Sequence, residues 1–270
     1  MQTGGRPMQL CDVRGKCFAP IQQPERLVSL VPSTTETLFA LGLGDALVGY
    51  TRFCVHPADR ITPDKWIGGT KNPKIERIVA LRPQLVLANR EENRREDVEA
   101  LEAAGVPVWV AEPLTVEAAV ADIRTLGALL NRRAQAERLA AEIERKVAEA
   151  RAAQPPPWRF AYVIWREPWM AAGAETFISN LLALVGGVNV FEGRYPAFDW
   201  ETLRAARPDV VLLASEPYPF REEHAAEVRA ALGEGVAVRL VDGELLAWHG
   251  VRLREGVPYA LQLAQSLAVS

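Results

Sequence analysis

Aromatic side chains carry the chemistry most readily read from this sequence. Tyr50, Phe53, Trp66, Trp165, Trp169, Tyr195, Tyr218, Phe220 and Trp248 all stand at or near the expected ends of strands, most of them in loops. Such rings offer broad apolar faces to a flat ligand, and their phenolic and indole edges add a few polar contacts. Packing explains any one of them; their concentration in loops points to a site, with Met170 beside Trp169. His56, His224 and His249 are the only three histidines. His56 and His249 fall in loops, where an imidazole can be an axial ligand to a chelated metal, although hydrogen bonding or packing accounts for either. His224 falls in a charged helix and is expected to be solvated. No His-x-His or Glu-x-x-His spacing occurs, so no bare transition-metal site is expected. Cys11 and Cys17 stand close enough to pair, but they lie in a tail expected to fray. Ordinary thiols, Cys54 included, are therefore expected in preference to a disulfide or a metal site.

Catalysis finds less support. "GLGDAL" (Gly42 to Leu47) has two glycines of a dinucleotide loop but Leu at the third, and it follows a helix where a strand is needed. No Gly-x-Ser-x-Gly elbow, Walker loop or Cys-x-x-Cys occurs. The acids of "ANREEN" (Ala88 to Asn93) and "ASEPYPF" (Ala214 to Phe220) show no acid–base spacing; these stretches read as cleft-mouth loops or as solvated ones. No catalytic residue or catalytic cofactor is expected.

Composition narrows the classes further. The 270 residues are 49% apolar and 24% charged, with 34 acids against 31 bases. That is a globular composition without the basic excess that attracts phosphate backbones, so nucleic acid is not expected as a partner. No apolar run approaches the roughly 20 residues a membrane span requires. The first residues, "MQTGGRPMQLCDVRGKCFAP", lack the charged-then-apolar layout of a secretory signal. Nothing demands more than a monomer.

The elements that must position these residues alternate. "RLVSLVP" reads as a strand and "STTETLFALG" as a helix, with Ser33 and Glu36 matching a capping box and Gly42 placed as its stop. "ALVGYT", "QLVLAN" and "VPVWVAEP" read as further strands, separated by the helices "KIERIVAL" and "RREDVEALEAAG". Thr115 to Gln154 should be helical in two pieces, with Leu139, Ile143 and Val147 as one apolar stripe. After three prolines, "RFAYVIW", "VNVF", "DVVLLAS" and "VAVRLVDG" read as strands. "REPWMAAGAE" reads as a loop; the helices are "TFISNLLALVGG", "WETLRAA", "REEHAAEVRAAL" and a last one from Val257.

One phrase is written twice. "IERIVALRPQLVLA" and "WETLRAARPDVVLLA" share Glu76 and Glu201, Ala80 and Ala205, Arg82 and Arg207, and Pro83 and Pro208, each pair 125 positions apart. The duplication predicts an α/β protein of two similar lobes, each a mostly parallel sheet flanked by helices, joined by one long rigid helix that limits hinge motion. The expected boundaries are a partly disordered leader (1–25), an N-terminal lobe (26–113), a helical linker (114–157) and a C-terminal lobe (158–270). Open α/β sheets bind ligands beyond the carboxyl ends of their strands, so a cleft between the lobes is the expected site.

Taken in order, "RLVSLVPSTTETLFALGLGDALVGYT", a Pro-rich loop, "ERIVALRPQLVLA", a long helix and "ETLRAARPDVVLL" resemble the helical-backbone substrate-binding proteins of ABC importers, above all the cobalamin-binding branch. The likeness runs from Arg26 to Ser270. It implies capture of cobalamin or a related corrinoid and delivery to a permease dimer outside the cytoplasm. Haem, a ferric siderophore or a metal ion is the alternative cargo. A cytosolic corrinoid-sequestering protein and an α/β enzyme are the competing classes, the first favoured by the absence of a visible signal sequence. By the same resemblance Phe53 and Tyr195 fall where ring-stacking aromatics stand, and Met170 falls near another such place. His56, Trp66, Trp165, Trp169, Tyr218, Trp248 and His249 complete the expected ligand-binding set. The family places a permease-docking glutamate at the start of the repeated helix in each lobe, which here is Glu76 and Glu201. The competing reading is that each acid only complements its own helix dipole. A Trp expected shortly before Glu76 is replaced by "TKNP" (Thr70 to Pro73), with Trp66 upstream.

Overall fold

The computed structural model describes residues 9–233 and 235–268. These divide into two compact α/β units, residues 1–113 with 119–141 and residues 114–118 with 142–270. Residues 1–8 of the expected leader and 234, 269 and 270 of the expected C-terminal lobe lie outside the described residues.

In the first unit, β1 (Leu10–Cys11) and β2 (Cys17–Phe18) form a small antiparallel hairpin. There follow β3 (Leu27–Ser29), α1 (Pro32–Ala40), β4 (Leu47–Tyr50), α2 (Ile75–Ala80), β5 (Leu85–Asn89), α3 (Arg95–Ala103) and β6 (Val108–Ala111). The sheet order is β4-β3-β5-β6, and every pairing is parallel. Parallel strands are covered on both faces, which is why β5 and β6 are buried throughout and apolar but for Asn89 at the end of β5. Val28, Val86, Val108, Ile78 and Leu101 lie in one core between sheet and helices.

The helical stretch breaks as its pattern predicts. α4 (Val116–Leu129) and α5 (Arg133–Ala153) are separated by Asn131, whose φ of 54° is left-handed. Gly127 permits that tight turn, since a Cβ there would stand 2.2 Å from the Ala136 side chain. The boundary between the units falls inside α5, and Leu139, Ile143 and Val147 are all buried along it.

The second unit comprises β7 (Trp158–Trp165), β8 (Met170–Ala172), α6 (Phe177–Ala183), β9 (Gly187–Asn189), α7 (Trp200–Ala206), β10 (Val210–Ala214), α8 (Glu222–Leu232), β11 (Ala237–Val241), α9 (Gly243–Ala247) and α10 (Leu253–Ala268). β9, β7, β10 and β11 pair in parallel and repeat the order of β4, β3, β5 and β6. The doubled phrase is thus the same local structure made twice. Arg82 (φ 44°) and Arg207 (φ 50°) are both left-handed, each ending its helix before a proline that leads into a central strand.

Four expectations need correction. Ser33 does not cap α1: Pro32 with its preset φ occupies the first turn, Val31 is the N-cap, and no side-chain cap forms. The other end is as expected, with Gly42 at φ 75° and the paired bonds Leu43 N–H to Leu38 O (2.9 Å) and Gly42 N–H to Phe39 O (3.0 Å) of a Schellman motif. The loop read from Arg166 to Glu175 contains β8, because β7 is long enough for the chain to fold back and pair antiparallel with it. The last helix starts at Leu253, a turn before Val257, and its Gly256 lies where a Cβ would meet the Leu245 carbonyl at 2.2 Å.

The fourth correction concerns the thiols. Cys11 and Cys17 face each other across the hairpin and form a disulfide, with Cα atoms 3.9 Å apart. The tail does not fray at this point, because Val13 N–H bonds Val110 O (3.2 Å) and Asp12 accepts the Val110 N–H (3.2 Å), which ties the hairpin to edge strand β6. Cys54 is a buried thiol beside the hydroxyls of Thr35 (3.1 Å) and Thr51 (3.3 Å), and burial pushes its pKa up.

Candidate functional site

The carboxyl ends of β7 and β10 carry an aromatic shelf in the second unit. Trp169 lies parallel to Phe220, with centroids 5.8 Å apart and planes 11° from parallel, and its other neighbours are Trp200 at 4.9 Å and Phe198 at 6.4 Å. Tyr218 lies 4.7 Å from Phe220, and Trp165 stands edge-on to Tyr218 at 5.7 Å. The guanidinium of Arg166 sits 5.8 Å from the Trp169 ring and pairs with Glu227 at 3.0 Å. Cation–π attraction and the ion pair together fix the shelf's polar edge. Trp165 remains 42% exposed, and Met170 opens β8 opposite it.

Of the other expected contacts in this unit, Tyr195 is 42% exposed in the loop after β9. Trp248 is turned inward at 9% exposure, with its indole N–H on Glu216 at 2.5 Å and Arg252 over its ring. His249 is partly buried and edge-on to Phe177 at 6.2 Å. His224, expected to be solvated, is buried at 8% exposure: it stands at the third position of α8, accepts the Arg221 N–H at 3.0 Å and meets Tyr218. Sequence reasoning did not single out Phe198, Trp200, Arg166 or Glu227 for the shelf. A histidine three residues after an N-cap, where Glu or Gln usually closes the cap, was the one local signal for His224.

In the first unit, the segment after β4 carries Phe53 (48% exposed), His56 (partly buried) and Trp66 (38% exposed). Arg52 lies 5.0 Å over the Phe53 ring, and Gly69 leaves room for it. Tyr50 is buried and accepts the Thr62 N–H at 2.7 Å, which anchors the segment. In "ANREEN" the two asparagines are structural. Asn89 accepts the Glu91 N–H (2.8 Å), and Asn93 accepts the Asn89 N–H (2.8 Å) while donating to Leu30 O (3.2 Å). Two concavities, about 520 Å³ around Thr176 and Arg194 and about 560 Å³ around Arg14 and Asn93, contain none of the expected ligand residues. Exposed rings, not enclosure, mark the candidate site within each unit.

Glu76 is the second residue of α2 and Glu201 the second of α7; both are exposed, and among the described residues neither forms an ion pair. Their equivalence follows from the repeated phrase. Among the described residues no group of three or more His, Cys, Asp or Glu converges as a metal site, and no helix is long and apolar enough to cross a membrane.

Burial pushes His249 down to about 4 and Asp122, on α4, up to about 7. A histidine held neutral in the fold contributes fully above its unfolded value of about 6.5, and that contribution is lost as pH falls toward the folded value. Asp122 acts in the opposite sense, losing stability as pH rises from about 4 to about 7, so the whole-protein curve mixes the two. The difference between wild type and His249→Gln isolates the histidine. Urea unfolding should show the variant gaining on wild type by about 2–3 kcal/mol between pH 7 and pH 4. A pH-independent difference would mean His249 is not held neutral by the fold.

Two α/β units, each with aromatic loops beyond the carboxyl ends of a parallel sheet, define a two-lobed ligand-binding protein. The chain belongs to the periplasmic binding protein family, which matches residues 27–232. It is 28% identical over 200 residues to the vitamin B12-binding protein of Yersinia pestis (strain Pestoides F), covering 72% of this chain and 71% of that one. Among solved structures it is similar to the periplasmic haem-binding protein RhuT from Roseiflexus sp. RS-1 in apo form (TM-score 0.77, 25% identity, 90% and 99% of the two chains). The vitamin B12-binding protein BtuF of Vibrio cholerae shares the fold at TM-score 0.75 and 23% identity, over 89% of this chain and 98% of that one. These relatives are binding proteins, and this chain is a binding protein and not an enzyme.

Proposed function

We propose that this protein captures cobalamin or a closely related corrinoid, with aromatic loops of each unit supplying contacts, and hands it to an ABC-importer permease. The observation that carries the proposal is the set of large rings left exposed at the carboxyl end of β7 and in loops that follow strands, Phe53, Trp66, Trp165 and Tyr195, each 38–48% accessible. A corrin has apolar faces that such rings cover and an amide-bearing edge that needs few polar partners. The relationship to a vitamin B12-binding protein over most of both chains supports this cargo. Haem is the second reading, favoured by the 25% identity to the Roseiflexus haem-binding protein.

Work outside the cytoplasm is part of the proposal. The family description and the Cys11–Cys17 disulfide support it, since such bonds persist in oxidising compartments, and the disulfide weighs against a cytosolic sequestering protein. Glu76 and Glu201 are proposed as the permease-docking pair. Titration with cyanocobalamin, haemin and a ferric siderophore, read by Trp quenching and visible absorbance, tests the cargo. Cyanocobalamin should saturate with a Kd below about 1 μM. Haemin saturating while cyanocobalamin does not would transfer the assignment to haem, and no binding by either would end the tetrapyrrole reading.

A further inference from the structure

The geometry points to Tyr218 as a hydrogen-bond donor reserved for an acceptor oxygen, carbonyl or carboxylate, on the bound ligand, with His224 as the residue that holds it in that role. This rests on the ligand reading above and goes beyond ring contact to name the group Tyr218 recognises. The argument is one of donors and acceptors. His224 Nδ1 accepts the Arg221 N–H at 3.0 Å, so in the neutral ring the proton sits on Nε2. That Nε2 lies 3.2 Å from the Tyr218 hydroxyl and 3.8 Å from the exposed Glu223 carboxylate, so its proton is given to Tyr218 Oη.

One lone pair of the phenolic oxygen is then occupied by the His224 donor. The phenolic hydrogen has no acceptor among the described residues, because the one nitrogen within reach already carries a proton. The ring is fixed between Trp165 and Phe220, and Glu227 holds Arg166 from α8 at 3.0 Å. Tyr218 can therefore give its hydroxyl hydrogen to an acceptor on an incoming group. A corrin amide or a porphyrin carboxylate supplies such an oxygen; a bare ammonium or guanidinium group does not.

Two measurements test this. In long-range ¹H–¹⁵N spectra, with His224 assigned from its loss in His224→Gln, the ring should be the Nε2–H tautomer. An Nδ1–H tautomer would overturn the inference whatever the ligand proves to be. In parallel, Tyr218→Phe keeps the ring contacts and, assayed well below its own melting temperature, should weaken cyanocobalamin about fivefold to tenfold, or haemin if haemin is the tighter probe. Unchanged affinity in Tyr218→Phe, with wild type binding normally, would overturn the inference and leave the proposed function standing. Wild type binding neither probe would instead remove the proposed function, and the donor role with it.

Discussion

The Glu76→Ala/Glu201→Ala double variant should bind cyanocobalamin as tightly as wild type yet dock on its permease about a thousandfold more weakly. Truncating one partner of a desolvated charge pair costs about 2 kcal/mol or more, so two such sites remove about 4 kcal/mol, close to three decades in affinity. Each single variant should lose about thirtyfold. The competing reading, in which each acid only answers its helix dipole, makes the opposite forecast. Exposed acids in a first helical turn contribute about 0.3–1 kcal/mol of stability each, so the double variant would be slightly less stable and would dock normally. Both side chains are exposed and lack an ion-pair partner among the described residues, so their removal leaves no buried charge behind. Binding to permease reconstituted in vesicles, measured beside a ligand titration, separates the two; unchanged docking would sink the proposed role.

Asp12→Ala should destabilise the first unit by about 3–5 kcal/mol, more than loss of the neighbouring disulfide. The Asp12 carboxylate is fully shielded and accepts the N–H groups of Arg14 (2.9 Å), Lys16 (3.1 Å) and Val110 (3.2 Å) as well as the Arg14 guanidinium (2.8 Å). Alanine strands all of these donors at once. Cutting the Cys11–Cys17 bond releases a loop of only a few residues, for which chain entropy gives about 2 kcal/mol. The hairpin also shields edge strand β6, whose Val108 and Val110 backbone groups it bonds, so its release exposes a strand edge able to pair with another chain. Chemical unfolding of Asp12→Ala beside Cys11→Ser/Cys17→Ser measures the order; a carboxylate variant no less stable than the disulfide variant would show that the covalent bond, not Asp12, holds the hairpin.

The alternating elements and the doubled phrase were legible in the sequence because they rest on local physics. Buried parallel strands must be apolar runs, helices must show a stripe such as Leu139, Ile143 and Val147, and a residue ahead of a proline ends a helix in the same way wherever the phrase recurs. Arg82 and Arg207, 125 positions apart, adopt the same left-handed turn for that reason. Phe53, Trp66, Trp165 and Tyr195 could be picked out as candidates too, since aromatics in loops or at strand ends are noticed without a partner elsewhere, although their exposure could not be read from the chain.

What escaped depended on partners distant in the chain. Cys11 and Cys17 looked like fraying thiols because the anchor of their hairpin, Val110, lies about a hundred residues away and carries no mark of the role. Ser33 matched a capping motif that Pro32 pre-empted by starting the helix sooner. Trp248 read as a loop ring, but Glu216 draws its indole inward. His224 read as a solvated residue of a charged helix until Arg221 and Tyr218 enclosed it. The residue pattern alone therefore determined the class of fold and the loops that could meet a ligand, since burial and periodicity act along the chain. Which rings stay exposed, which polar atoms keep a free hydrogen and which carboxylate bears the load were decided only by folding, because hydrogen-bond donors and acceptors are matched in space without regard to sequence order.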